Sequence, residues 1–144
     1  MTRTPLIALA TSLLLSNPAA ALSADLTVTI KNVRSDVGKV YVAVYDSDSS
    51  FLKLEQARAQ SRTKACRGEV VLIFHDLSPG RYAVTAYHDE NDNGKMDRNW
   101  LGIPTEGYGF SNDVRGAAGP PKFTQAAFGL ENDADKSVSF SMKY

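Results

Sequence analysis

The chain has 144 residues, with 16 basic and 16 acidic side chains and no formal net charge. There is no basic surplus to gather phosphates, which argues against nucleic acid as a partner, and no polybasic tract offers a hold on anionic lipid. Cys66 is the only cysteine, so an intramolecular disulfide is excluded.

The first residues read as a secretory leader. Arg3 supplies positive charge, and Leu6 to Leu15 is an apolar run of about ten residues, the length of a signal-peptide core. It falls short of the roughly 20 apolar residues needed to cross a bilayer. Pro18 then breaks the run, and Ala19-Ala20-Ala21 offers the small residues of a cleavage site. Cleavage after Ala21 assigns 1–21 to a signal peptide and 22–144 to a single exported domain, periplasmic or extracellular. No later stretch is apolar enough for an integral membrane segment. The remaining chain, about 120 residues, is a common size for one domain. Without Arg3 it carries one more acidic than basic side chain.

Leu26-Thr27-Val28-Thr29-Ile30 alternates apolar and polar residues, the signature of a half-buried strand. Asp36 and Gly38 mark a turn, and Val40 to Tyr45 is a second, more uniformly apolar strand; together they predict a hairpin. Phe51 to Ala65 contains good helix formers but no strong apolar face, so a loop with one helical turn is expected. Cys66 follows. A lone thiol is ordinarily buried as a small apolar residue, and the alternative, a reactive thiolate, rests on the neighbouring Lys64 and Arg67.

Glu69 to Phe74 reads as a strand, Leu77-Ser78-Pro79-Gly80 as a tight turn, and Arg81 to His88 as another strand with Tyr82, Val84 and Ala86 toward the core. Ala126 to Leu130 adds a short strand. Ser137 to Met142 alternates cleanly, as expected of the closing strand of an antiparallel sheet. About seven short strands, little helix and Gly/Pro-rich turns predict an all-β, antiparallel two-sheet sandwich of immunoglobulin-like type. Residues 89–121 lack periodicity, are rich in Gly, Asn and Pro, and carry Trp100, Tyr108 and Phe110. A loop that long inside one domain is expected to be ordered and functional.

The densest pattern in that loop runs from Asp89 to Asp97. Asp89, Asn91, Asn93 and Asp97 place oxygens at alternating positions, Gly94 sits where a calcium loop turns sharply, and Lys95 offers its carbonyl. These match ligand positions of an EF-hand-like loop, whose ion takes about six to eight hard oxygens. The twelfth position, a bidentate Glu in an EF-hand, is Trp100 here, and no helices flank the loop. A substitute carboxylate is expected from Asp92, Glu106 or Asp113. The competing reading is a polar hairpin turn, since Asn93-Gly94 is a strong turn signal by itself.

Gly107-Tyr108-Gly109-Phe110 is the second pattern. Glycine on both sides of Tyr108 permits unusual backbone angles. Tyr108 and Phe110, with Trp100, then either form an exposed binding platform or roof the end of the core, the commoner fate of large aromatic rings. His75 and His88 each precede an Asp, but adjacent strand residues face opposite ways. No nucleophile elbow, zinc spacing or phosphate loop accompanies them, so catalysis by His88, Asp89 and Glu106 is the weakest reading.

The run from His88 to Asp97 followed by Gly102-Ile103-Pro104 and Glu106 to Asn112 resembles the bacterial family named domain of unknown function 2141. So do Gly38 to Tyr45, Leu77 to Val84, and Gly119-Pro120-Pro121 with Phe123 and Ala126. The resemblance spans nearly all of 22–144. It implies an exported, mostly β protein related to transthyretin-like or carboxypeptidase-regulatory-like modules, and it implies no activity. The functional expectation is a non-catalytic binding module with a Ca²⁺-ordered loop. The alternative is a metal-free binder of a small molecule, peptide or envelope component through the aromatic loop.

Overall fold

Leu26, Val28 and Ile30 are wholly buried while Thr27 and Thr29 between them are not, so the predicted alternation defines the inner face of β1 (Ala24–Val33). The computed structural model describes residues 22–144; the expected leader lies outside the described residues. Seven further strands follow: β2 (Lys39–Tyr45), β3 (Ala59–Lys64), β4 (Gly68–Leu77), β5 (Gly80–Asp89), β6 (Gly107–Phe110), β7 (Phe128–Leu130) and β8 (Lys136–Ser141). The only α-helix among the described residues is a single turn, α1 (Phe123–Ala126).

The strands form two sheets. One has the order β4-β1-β8; the other has the order β3-β2-β5-β6, with β7 also pairing β5. Val40, Val42 and Val44 of β2 and Tyr82, Val84 and Ala86 of β5 face β1, Val70, Leu72 and Phe74 of β4, and Phe140 across a common core. Burial of each such side chain contributes roughly 1.5–3 kcal/mol. The architecture is mostly antiparallel and almost without helix, as expected.

Four local expectations are corrected. β1 and β2 do not pair; Asp36 to Gly38 carries the chain from one sheet to the other, β1 joining β4 and β2 joining β5. β8 closes its sheet parallel to β1, not antiparallel. Residues 59–64, expected to be loop, form an edge strand after a 3-10 turn at Leu54–Gln56. Their polar side chains face solvent, so neither period reveals them. Cys66 is exposed rather than buried, because its strand has already ended at Lys64 and Ala65 takes the buried place.

β5 is apolar on both faces, and its second face explains the remaining architecture. Ala83, beside Tyr45 and Ala43, lies on the outer face of the larger sheet under Phe123 and Ala126 of the α1 turn. Phe51 completes this second cluster, edge-on to Tyr45 and Phe123. The buried Ser111 hydroxyl donates to the Ala126 carbonyl at 2.6 Å and accepts the Val84 N–H at 2.9 Å, tying the cover to β5. One half of the outer face is therefore roofed. The other half is open.

Candidate functional site: a groove and the loop that walls it

The open half is built from cross-strand rows. Arg62, Tyr41, Tyr87 and Tyr108 stand in register on β3, β2, β5 and β6. The next row is Gln60, Ala43, Thr85 and Phe110. Tyr41 and Tyr87 stack at 4.9 Å with their planes 5° apart, Tyr108 meets Phe110 edge-on at 5.9 Å, and Arg62 lies over the Tyr41 ring. Small residues in the second row leave a floor at Ala43 and Thr85 between aromatic shoulders. Met96, Leu101, Ile103 and Pro104 form one wall; Leu52, Leu54 and the segment around Gly119-Pro120 form another. The groove, open to solvent on one side, measures about 1080 Å³, just above the range of about 300–1,000 Å³ usual for small-ligand sites.

β6 can occupy its place because its inward residues are glycines. A Cβ on Gly109 would lie 2.8 Å from the Ser141 carbonyl and 2.9 Å from the Phe140 ring; one on Gly107 would strike Tyr144. Both glycines lie outside the left-handed region among the described residues. They supply close approach rather than the unusual angles expected of them. Alternation then sends Tyr108 and Phe110 outward, into the groove, instead of over the end of the main core. Trp100, the third aromatic of the predicted platform, is 91% exposed beside groove-lining Leu101 and is not itself part of the lining.

The loop from Asp89 to Glu106 supports the first wall, and its polar residues hold it by backbone bonds. Asp89 is fully buried: one carboxylate oxygen accepts the Asn93 N–H at 3.1 Å, the other the Gly94 N–H at 2.8 Å. Asn91 and Asn93 each bond their own backbone two residues on, to Asn93 and Lys95. Their amides both donate to Asp97, at 2.6 and 3.0 Å. Glu106, also buried, accepts the Glu90 N–H at 3.0 Å and the Asp97 N–H at 3.1 Å, clasping both ends of the 89–97 turn. Asn99 shapes the tip, its side-chain oxygen accepting the N–H groups of Leu101 and Ile103.

Asn91 and Asn93 therefore meet Asp97 through their amide nitrogens, while their oxygens and the Asp89 carboxylate accept backbone N–H groups of the same turn. Of the three substitute carboxylates, Asp92 pairs with Lys39 at 2.6 Å and Asp113 accepts the Ser141 N–H at 2.7 Å, both away from that point, while Glu106 lies beneath the loop. Among the described residues no three His, Cys, Asp or Glu side chains group as a metal site. An ion here would draw on the two asparagine oxygens. Tyr87 joins loop to sheet, its hydroxyl donating to the Gly94 carbonyl at 3.3 Å. Burial pushes that phenol up to about 12, with Tyr41, Asp89 and Glu106 adding to the shift.

The histidines have structural partners. Buried His88 donates from Nε2 to the Val37 carbonyl and accepts the Tyr144 hydroxyl at Nδ1, each at 2.7 Å. His75 pairs on the surface with Asp25. His88, Asp89 and Glu106 thus each bond other partners, and none of the three is hydrogen-bonded to another. The Arg34 guanidinium holds the Glu90 carboxyl below the usual range, with the Ser35 hydroxyl assisting against the opposing effect of burial.

Sequence reasoning missed the groove's sheet face: Tyr41, Tyr45, Arg62, Thr85 and Tyr87. The signal present was that β2 and β5 are apolar on both faces, which requires something to cover the second face.

No curated protein and no solved structure matches the chain. A family model does, over residues 28–139, and it is described as an uncharacterised protein conserved in bacteria. That span takes in both sheets, the loop and the groove floor, and the chain belongs to this family, DUF2141.

Proposed function

We propose that the protein is a non-catalytic binding module whose ligand lies in the groove on the outer face of the larger sheet. The carrying observation is the open row of Tyr41, Tyr87 and Tyr108 above a small-residue floor, in a cavity of about 1080 Å³. Concave, largely apolar sites with a few polar groups are where small ligands bind. Tyr108 and Phe110 contribute directly, and Trp100 stands at the rim. The test is saturable binding of a neutral solvatochromic dye, such as Nile red, to the wild type and to Thr85→Trp, which fills the floor. The reading expects at least about a tenfold loss of affinity with cooperative melting retained. Equal dye affinity in both proteins overturns it.

A second reading concerns the wall: Ca²⁺ orders the loop through Asp89, Asn91, Asn93, the Lys95 carbonyl and Asp97, with Glu106 supporting the ligands from below. It is supported by the clustering of Asn91 and Asn93 on Asp97, and binding would require both amides to turn their oxygens, in place of their nitrogens, toward the ion. Hard oxygens in such a loop suit Ca²⁺. Calorimetric titration of Ca²⁺ into chelator-treated protein should give saturable heat that Asp97→Ala abolishes. Absence of heat at millimolar Ca²⁺ leaves a turn closed by its own hydrogen bonds. Export through the leader read at 1–21 would place the module in the cell envelope or outside it, and mature protein beginning at Leu22 is the corresponding observation.

A further inference from the structure

The groove's charge is one-sided. Its lining includes Arg62, Lys95 and Arg98 and not one Asp or Glu, although the chain as a whole has equal numbers of each sign. None of these three cations forms a salt bridge among the described residues; those found are Arg34–Glu90, Lys39–Asp92 and His75–Asp25. Arg98 donates only to the Gly102 carbonyl, which leaves guanidinium donors free, and Arg62 rests against Tyr41. Cations gathered beside low-dielectric walls attract negative charge more strongly than the same cations in open water.

We propose that the groove takes a small amphiphilic anion, its apolar body on the Tyr41–Tyr87–Tyr108 row and its acidic head against Arg62, Lys95 and Arg98. This deepens the binding-module reading and rests on it. A peptide is a poorer fit, because an extended chain gains affinity by adding to a sheet edge, and this groove lies on a sheet face. A cationic ligand is disfavoured too: Arg62 already covers the Tyr41 ring that would attract it.

The test uses matched probes that differ only in the head: dodecanoate, dodecyl phosphate, dodecanol and dodecyltrimethylammonium, all below their micellar concentrations, with naphthoate and naphthol as an aromatic pair. Each displaces Nile red from the protein. The expected result is that an acid binds about tenfold more tightly than its matched alcohol at low salt, with the gap narrowing as salt screens the head. Arg62→Gln and Lys95→Gln should each narrow the gap while leaving alcohol affinity within about twofold. Carboxylate against phosphate then identifies the head. Equal affinity for acid and alcohol in both series, or preference for the ammonium, overturns this inference and leaves the groove reading standing. Failure of the dye and of every probe to bind overturns both.

Discussion

Glu106→Gln removes a charge and one acceptor from the clasp beneath the loop. In the wild type each carboxylate oxygen accepts a backbone N–H, from Glu90 and from Asp97. Glutamine keeps one oxygen and turns an NH₂ toward the other N–H, so one buried donor faces another. Hydrogen bonds to charged groups are worth about 1.5–3 kcal/mol, and an orphaned buried donor costs a similar amount. The substitution should therefore cost about 2 kcal/mol, or roughly 8 °C in melting temperature for a domain of this size. Urea denaturation with chelator present measures the loss free of any ion. Amide exchange at Glu90 and Asp97 tests whether the loop ends loosen first. A change under about 0.5 kcal/mol with both amides still protected would refute the clasp.

Two further perturbations test the parts of the site separately. Gly109→Ala places a methyl group against the Ser141 carbonyl and the buried Phe140 ring; it should destabilise by about 1–3 kcal/mol and weaken dye binding, since Tyr108 and Phe110 must shift with β6, as denaturation and titration would show. Tyr87 has a folded pKa raised from 10.0 to about 12, so it favours the folded state below pH 10 and that contribution disappears as pH rises toward 12. The urea midpoint should fall across that window, and less steeply in Tyr87→Phe; an equal slope would mean the phenol is not held by its burial and the Gly94 carbonyl.

The elements with one buried face were legible in the sequence. β1 and β8 alternate because each has a single core face, and the inward set of β5 is the one its pattern indicates; β4 was recognisable as a strand from its apolar run Val70 to Phe74, but its single core face was not, since Val71 and Ile73 on the other face are exposed. β3 was not legible: an edge strand of Ala-Gln-Ser-Arg-Thr-Lys with mostly exposed side chains carries almost no period. Nor was the sheet assignment of β1 and β2, because a turn at Gly38 serves equally for a hairpin and for a crossing between sheets. β6 was hidden by its own alternation, in which the inward residues are glycines rather than apolar side chains. Of the oxygen pattern of Asp89 to Asp97, Asn91, Asn93 and Asp97 bond one another through their side chains, and Asp89 bonds the backbone of the same turn. The groove was not legible, because its face is assembled by long-range register from four strands, and no stretch of chain contains more than two of its aromatics.

Loop and groove share a covalent joint. Glu106, which clasps the loop, is followed directly by Gly107–Phe110, the strand that sends two rings into the groove. Tyr87 makes a second joint, its ring in the aromatic row and its hydroxyl on Gly94. Anything that orders 89–97 therefore acts on the wall and on the aromatic row together. If Ca²⁺ is that agent, it is expected to tighten ligand binding, and by linkage the ligand then tightens Ca²⁺ by the same factor. Measuring dye affinity with and without Ca²⁺, and Ca²⁺ affinity with and without dye, gives two independent values of one quantity. Equal factors above about threefold would make the loop a regulator of the groove. Saturable Ca²⁺ binding with a factor of one would mean that the wall at Met96 to Pro104 is already rigid, its shape held by Asn99 and Glu106 without an ion.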